Sequence, residues 1–423
     1  MKVLVVGSGG REHALAWRLK LSPQVSDLWV VGGNSGTAQI ATNIHVSPED
    51  VEAVCTVAKE LAVDLVVVGP EQPLANGLAD RLTAIGKPTF GPTKVAAQLE
   101  ASKSFARRIL QEADVPGPDY RVFQNQTAAL DFLYSHEGRV VVKADGLAAG
   151  KGVALCANTE EAAIAVKGCI AGDTVVVEEW LEGTEVSVFA FSDGQHLSTP
   201  VAACDYKQVG DGDQGPNTGG MGSFAPPAFW NSDLAEQVSQ EILMPTVAAM
   251  ADKGCPYKGM LYAGLMFTRE GPKVLEFNCR FGDPETQVIL PQLESDPVNA
   301  MTACIEGTLD RSQVSWASLA HVGVVMVSGG YPAAYETGKE ITGLCISTDT
   351  TLVFHAGAQQ ARDDAGVACV VTSGGRVLTV VGRGESIEQA RNLAYRRVEQ
   401  IHFEGANYRR DIGELSEGNR REL

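Results

Sequence analysis

Positive charge is scarce in this chain: 34 Lys and Arg stand against 52 Asp and Glu in 423 residues, for a formal charge of −18. So acidic a surface repels polyanions, which argues against binding nucleic acid or an anionic membrane. Any anionic ligand must then be held by local groups of Lys, Arg and backbone N–H. Aromatic residues are also few, at 6%, in keeping with a glycine-rich α/β chain. Long apolar runs are missing, and the start, Val3 to Val6, breaks at Gly7 after a single Lys, so no membrane span is expected. The nine Cys include no Cys-x-x-Cys pair. Their odd count and their scatter from Cys55 to Cys369 fit reduced, mostly buried thiols rather than a disulfide framework or a zinc site. The seven dispersed His give a His-based metal cluster no support. Together these absences point to a soluble, cytoplasmic protein.

Glycine is plentiful, at 45 residues, and a 44% hydrophobic chain of this length can bury cores for about three domains. The first hundred residues alternate apolar runs with helical patterns: Lys2 to Val6, Leu28 to Val31 and Leu65 to Val68 as strands, His13 to Lys20 in a helix. That is a parallel, doubly wound layout. The turn Gly7-Ser8-Gly9-Gly10 is close to a dinucleotide fingerprint, but Glu12 stands where the third Gly is needed and Gly32-Gly33-Asn34 offer no acid after the second strand. A nicotinamide or flavin oxidoreductase is therefore disfavoured. The glycines either turn backbone N–H groups toward an anion, with Arg11 adding charge, or let helix and strand pack closely, and both readings stand. Pro70-Glu71 follows another strand end, where ligands gather in open α/β sheets, which makes Glu71 a candidate for a hydroxyl-bearing substrate group.

Beyond Ala101 the pattern changes. Lys103 to Ala113 is amphipathic, and the strand Val140 to Lys143 runs into the glycine-rich turn Ala144 to Val153. Lys143 continues an apolar strand, where a cation is costly unless an anion compensates it, so phosphate held by Lys143, Lys151 and the N–H groups around Gly146, Gly150 and Gly152 is the reading favoured here. It is not a Walker A loop, because Asp145 and Gly152 break that pattern. Val175 to Val177, ending in Glu178-Glu179-Trp180-Leu181, has the form of a hinge where an adenine edge could pair with backbone groups while Leu181 packs on its face; Glu185 would reach ribose. Gly210 to Gly222 is a long glycine-dense loop, preceded by Asp205-Tyr206-Lys207 and containing Asn217-Thr218, and reads as a substrate-covering loop. Leu261 to Phe267 and Lys273 to Phe277 form an antiparallel hairpin whose alternation turns Glu276, Asn278 and Arg280 to one face. A carboxylate and an amide oxygen two residues apart suit a hard divalent cation, and the guanidinium beyond suits phosphate. After about Ser328, strands, turns and a final helix, Ile387 to Ile401, carry no such constellation and read as a structural domain beside the site.

In order and spacing, Val6 to His13, Lys143 to Gly152, Gly215 to Gly222 and Glu276 to Gln287 make the chain resemble the glycinamide ribonucleotide synthetase (phosphoribosylamine–glycine ligase) family of the ATP-grasp superfamily, over essentially its whole length. The resemblance implies an ATP-grasp fold of α/β and α+β character, with an N-terminal doubly wound parallel-sheet domain (1–101), an ATP-grasp domain (102–327) carrying a mobile lid (about 123–191), and a mostly antiparallel C-terminal domain (328–423). It implies ATP-dependent ligation of glycine to 5-phosphoribosylamine through glycyl phosphate, in purine biosynthesis, by a monomer using Mg2+ or Mn2+. Lys103 and Lys143 would contact ATP phosphates, Glu178, Glu179 and Leu181 adenine, Glu185 ribose, Glu276 and Asn278 the metal, and Arg280 the transferred phosphoryl group. Substrate contacts would come from Gly9, Gly10, Arg11, Glu71, Asp205, Lys207, from Asn217, Thr218, Gly219, Gly220 and Met221, and from Asp283, Pro284 and Glu285. Where the family commonly reads Asp-His-Lys-Arg, this chain has Asp205-Tyr206-Lys207-Gln208, which leaves the roles of positions 206 and 208 open. The alternatives are another ATP-grasp carboxylate–amine ligase and a nucleotide-binding module without activity.

Overall fold

The structure is a computed structural model that describes residues 1–136, 138–147, 152–169, 174–344, 348, 350–363 and 365–414. The first sheet is wholly parallel, in the order Thr42–Ile44, Asp27–Gly32, Lys2–Gly7, Leu65–Val68, Thr89–Phe90. Its central strands read as unbroken apolar runs because both faces are covered: Val3, Leu4, Val5 and Val6 are fully buried. Strand order reverses between Lys2–Gly7 and Leu65–Val68, so a crevice opens beyond their carboxyl ends. The helices that follow these two strands, Gly10–Lys20 and Glu71–Ala75, begin at that crevice. The first helix starts three residues before the expected His13.

The largest sheet has eight strands: Gly271–Asn278, Lys258–Thr268, Thr184–Asp193, Val201–Asp205, Gly222–Ala225, Ala320–Val327, Arg376–Gly384 and Thr351–His355 in spatial order, paired antiparallel. A separate antiparallel sheet, Tyr120–Phe123, Val175–Glu179, Val140–Ala144 and Val153–Cys156, has its own core around Leu133, Val142, Val166 and Val177. Strand pairing runs across two of the expected boundaries. The small sheet ends at Glu179, and Thr184–Asp193 belongs to the large sheet, so residues up to 191 do not form one sheet unit. A cut at 328 divides the large sheet, since Ala320–Val327 pairs with Arg376–Gly384. The stretch read as a loop over 210–222 contains part of a hairpin, Gln208–Gly210 with Gln214–Asn217. No helix among the described residues is long and apolar enough to cross a membrane.

Candidate active site

The hairpin Lys258–Thr268 with Gly271–Asn278 forms an edge of the large sheet, and its alternation delivers Glu276 and Asn278 side by side, the Asn278 amide nitrogen lying 3.4 Å from Glu276 Oε1. Burial opposes the charge on Glu276, but Lys207, Lys143, the Asn278 amide and Lys103 outweigh it and hold the carboxylate below its usual range. Three lysines from distant segments thus bear on one carboxylate. Each is placed by its own local structure. Lys103 opens the helix Lys103–Glu112, which Ser102 caps by accepting the Phe105 N–H at 3.1 Å. Asp145 ties the turn after Lys143 to this helix start, accepting from Ser104 Oγ at 2.6 Å, and Lys103 Nζ donates to the Gly146 carbonyl at 2.8 Å. Gly146 has φ +111, a conformation that glycine adopts without strain.

Lys143 is buried, and its Nζ lies 2.8 Å from Glu178 Oε2 and 2.9 Å from the Leu275 carbonyl. Glu178 also receives Arg107 Nε at 2.6 Å and Nη2 at 2.8 Å. Burial lowers the Lys143 pKa; Lys143 and Arg107 hold Glu178 low against its own burial. Within the chain itself, the anion that compensates the strand lysine is therefore Glu178. Next to it, the Glu179 N–H donates to the Asp119 carbonyl at 2.8 Å and is taken by the fold. Leu181 is partly exposed beyond the strand end. Gly150 and Lys151 lie outside the described residues, and Gly152 precedes the strand Val153–Cys156. Glu185 pairs directly with Lys207. Asp205, at the end of Val201–Asp205, is pushed up to about 7 by burial and by Glu285 and Glu185, against the pull of Lys207.

A second cluster centres on Arg280 and Arg11. Arg280 Nε donates to Glu71 Oε2 at 3.0 Å and Nη2 lies 3.0 Å from Glu100 Oε1, while Arg11 Nη1 donates to the Phe281 carbonyl at 3.2 Å. Burial disfavours charge on Glu71, but Arg280 and Arg11 bring its pKa down to about 2. Tyr262, the cross-strand partner of Asn278, donates its hydroxyl to Glu285 Oε1 at 2.8 Å.

Glu12 occupies the crevice between the strand ends. Its carboxylate accepts the Gly9 N–H at 2.6 Å and Arg11 Nε at 2.5 Å, and a Cβ at Gly69 would stand 2.0 Å from Oε1. The glycines at 7 and 69 therefore make room for the chain's own carboxylate, in the place where a dinucleotide pyrophosphate would need free N–H groups. Asp283 sits between Arg11 N, 3.5 Å away, and Arg376 Nη1, 3.5 Å away. Gly220 (φ +112) packs so tightly on Pro284 that a Cβ would come within 2.4 Å of its Cδ. Thr218 donates both N–H and hydroxyl to the Lys207 carbonyl, and the Met221 N–H reaches the Tyr206 carbonyl at 2.7 Å.

Three family models match the chain: the phosphoribosylglycinamide synthetase N domain over residues 1–100, its ATP-grasp (A) domain over 101–286 and its C domain over 321–415. The chain belongs to the phosphoribosylglycinamide synthetase family. A phosphoribosylamine–glycine ligase of Vibrio vulnificus is 44% identical over 424 residues, covering 98% of each chain. A crystal structure of phosphoribosylamine–glycine ligase from Thermotoga maritima superposes with a TM-score of 0.83 at 34% identity, covering 97% of this chain and 100% of that one. The biotin carboxylase domain of a Hydrogenobacter thermophilus 2-oxoglutarate carboxylase shares the fold, at a TM-score of 0.70 and 15% identity, covering 96% of this chain and 91% of that one.

Within this synthetase-family chain, four residues that the motifs did not single out bond directly to the candidate residues. Arg107 and Glu100 neutralise Glu178 and Arg280. From the C-terminal region, read as structural, Arg376 Nη1 donates to the carbonyls of Gly219 (2.5 Å) and Asp283 (2.8 Å), and the Tyr331 hydroxyl accepts the Gly219 N–H at 3.0 Å. No local pattern marks them; each becomes visible only through a partner far along the chain.

Proposed function

We infer that this chain joins glycine to 5-phosphoribosylamine at the expense of ATP, yielding 5-phosphoribosylglycinamide, ADP and phosphate. The observation that carries the reading is Glu276 and Asn278 side by side on the hairpin, with Lys143 Nζ held at the carbonyl of Leu275 next to Glu276; the electrostatic pull of Lys207, Lys143 and Lys103 on Glu276 supports it. A glycine carboxylate is a poor acyl donor, so the expected route is attack on the γ-phosphate to give glycyl phosphate, then displacement by the amine of phosphoribosylamine. Such phosphoryl transfer needs alignment and charge neutralisation more than a protein nucleophile.

In this reading Lys103 and Lys143 grip the triphosphate together with the turn at Gly146, Gly150, Lys151 and Gly152, and Arg280 neutralises the phosphoryl group in flight. Backbone groups of Glu178, Glu179 and Leu181 receive adenine, and Glu185 the ribose. Phosphoribosylamine and glycine lie along Gly9 to Arg11, Glu71, Asp205, Lys207, Asn217 to Met221 and Asp283 to Glu285. Glu276 and Asn278 suit Mg2+ or Mn2+: both offer hard oxygens on one face, and the nearby lysines keep Glu276 ionised. Among the described residues no three His, Cys, Asp or Glu side chains gather as a metal site, so most of the ion's coordination would fall to phosphate and water. When bound, the ion would supply charge neutralisation to the phosphates.

We further read residues 1–101, 102–327 and 328–423 as the domains, with a lid near 123–191 that excludes water from the acyl phosphate. The separate core of the small sheet supports a lid as a body of its own. The protein is read as a cytoplasmic monomer. The test is incubation with ATP, glycine and freshly generated phosphoribosylamine. Release of ADP that requires both other substrates is expected, and ADP release indifferent to glycine would remove the assignment.

A further inference from the structure

The hairpin Gln208–Gly210 with Gln214–Asn217 runs straight into Thr218 and Met221, yet its second strand is exposed throughout. Two strands so short cannot hold a position unaided. What holds them is Arg409, whose side chain is 1% exposed. Its Nε and Nη2 bind the two oxygens of Asp411 at 2.8 and 2.5 Å. Its Nη1 donates to the Gln208 carbonyl at 3.0 Å and to Asp213 Oδ1 at 2.8 Å. The guanidinium carbon lies 4.7 Å from the centroid of the Tyr206 ring. The flanking backbone completes the grip. Asp411 accepts the Gly212 N–H at 2.9 Å, Asp211 accepts the Arg410 N–H at 2.7 Å, and the Tyr206 hydroxyl accepts the Gly413 N–H at 3.1 Å.

We propose that Arg409 is a positioning residue for phosphoribosylamine binding: by clamping the hairpin at Gln208 and Asp213 and stacking on Tyr206, it sets where Lys207 and Asn217 to Met221 stand. The proposal rests on reading that loop as part of the substrate site. It also gives a role to the two positions that depart from Asp-His-Lys-Arg. Tyr206 turns its ring to Arg409, and Gln208 contributes a backbone carbonyl that any residue could supply. Only arginine combines a planar fork, five donors and a face that stacks on an aromatic ring; lysine offers a point charge with three donors.

The test is Arg409→Lys in the full chain, assayed with ATP, glycine and freshly generated phosphoribosylamine. KM for phosphoribosylamine should rise about ten-fold while KM for ATP stays within about two-fold, since the clamp bears on the loop read as taking phosphoribosylamine and glycine and not on the turn read as taking the ATP phosphates. Where Arg409→Lys does not yield folded protein, Asp213→Asn, whose side chain is 69% exposed, carries the same expectation at about three-fold. An unchanged KM for phosphoribosylamine, or equal losses on phosphoribosylamine and ATP, overturns the proposal. Asn217→Ala run in parallel reads the loop itself. If that variant also leaves phosphoribosylamine binding untouched, the loop's assignment falls; if it alone raises KM, only the role of Arg409 does.

Discussion

Replacing Glu178 by Gln would remove the carboxylate that two buried cations, Arg107 and Lys143, share. The carboxylate, 2% exposed, receives Arg107 at 2.6 and 2.8 Å and Lys143 at 2.8 Å, and those side chains are 4% and 7% exposed. Breaking one partner of a buried pair costs about 3–5 kcal/mol. The cations keep neutral acceptors, the carbonyls of Val274 and Leu275 for Arg107 at 2.9 and 2.7 Å and that of Leu275 for Lys143 at 2.9 Å. The expected loss is therefore at the lower end, about 3 kcal/mol by urea unfolding at pH 7 without nucleotide. The folded-state pKa of Glu178 is depressed, so the stability it provides is present above the unfolded carboxylate pKa and is lost as pH falls through the folded value. Parent and variant should thus converge in acid. A saturating non-hydrolysable ATP analogue should restore more stability to the variant than to the parent, because phosphate would supply the missing anion. A loss below about 1 kcal/mol at pH 7, or a nucleotide effect equal in both proteins, would refute the reasoning.

Gly69→Ala places a Cβ 2.0 Å from Glu12 Oε1 and forces that carboxylate off Gly9 and Arg11; a loss of about 2–3 kcal/mol in chemical denaturation is expected, and a neutral result would show that Glu12 can move freely. Glu276→Gln keeps the shape but removes the charge that the three lysines face: kcat should fall at least about a hundred-fold and half-saturating Mg2+ should rise, whereas normal turnover would count against the metal site. His13 and His355 are buried with pKa values lowered to about 3 and about 4, chiefly by burial, and the His355 N–H donates to His13 Nδ1 at 2.8 Å. Unfolded imidazoles take up protons below about pH 6.5 and these two do not, so the stability they provide is present above that pH and lost as pH falls toward 4. His355→Gln should flatten the fall of the thermal midpoint between pH 6.5 and 4.5; an unchanged slope would place the acid sensitivity elsewhere.

The sheets were legible because their strands are buried on one or both faces: Val3 to Val6 and Val140 to Val142 can be little else, and the alternation across Lys273 to Asn278 sorts Glu276 from Phe277 without further help. Lys143 stood out for the opposite reason, since it continues an apolar strand where a cation is out of place, whereas Lys103 was singled out only through the family resemblance. Charged residues in ordinary places were not. Arg107 lies on an amphipathic helix and Arg376 on a strand beside glycines, and nothing within ten residues shows that Arg107 reaches Leu275 or that Arg376 reaches Gly219, 157 positions away. The case of Lys143 shows where local reasoning stops. Desolvation demands that a buried cation meet an anion, and that demand follows from the strand alone. It does not say which anion. The partner within the chain is Glu178, one of the two acids that the strand-end pattern assigned to an adenine hinge, and the phosphate inferred from the same lysine must share Lys143 with Glu178 or displace it. The exchange of one anion for another is what the paired stability measurements on Glu178→Gln, with and without nucleotide, would register.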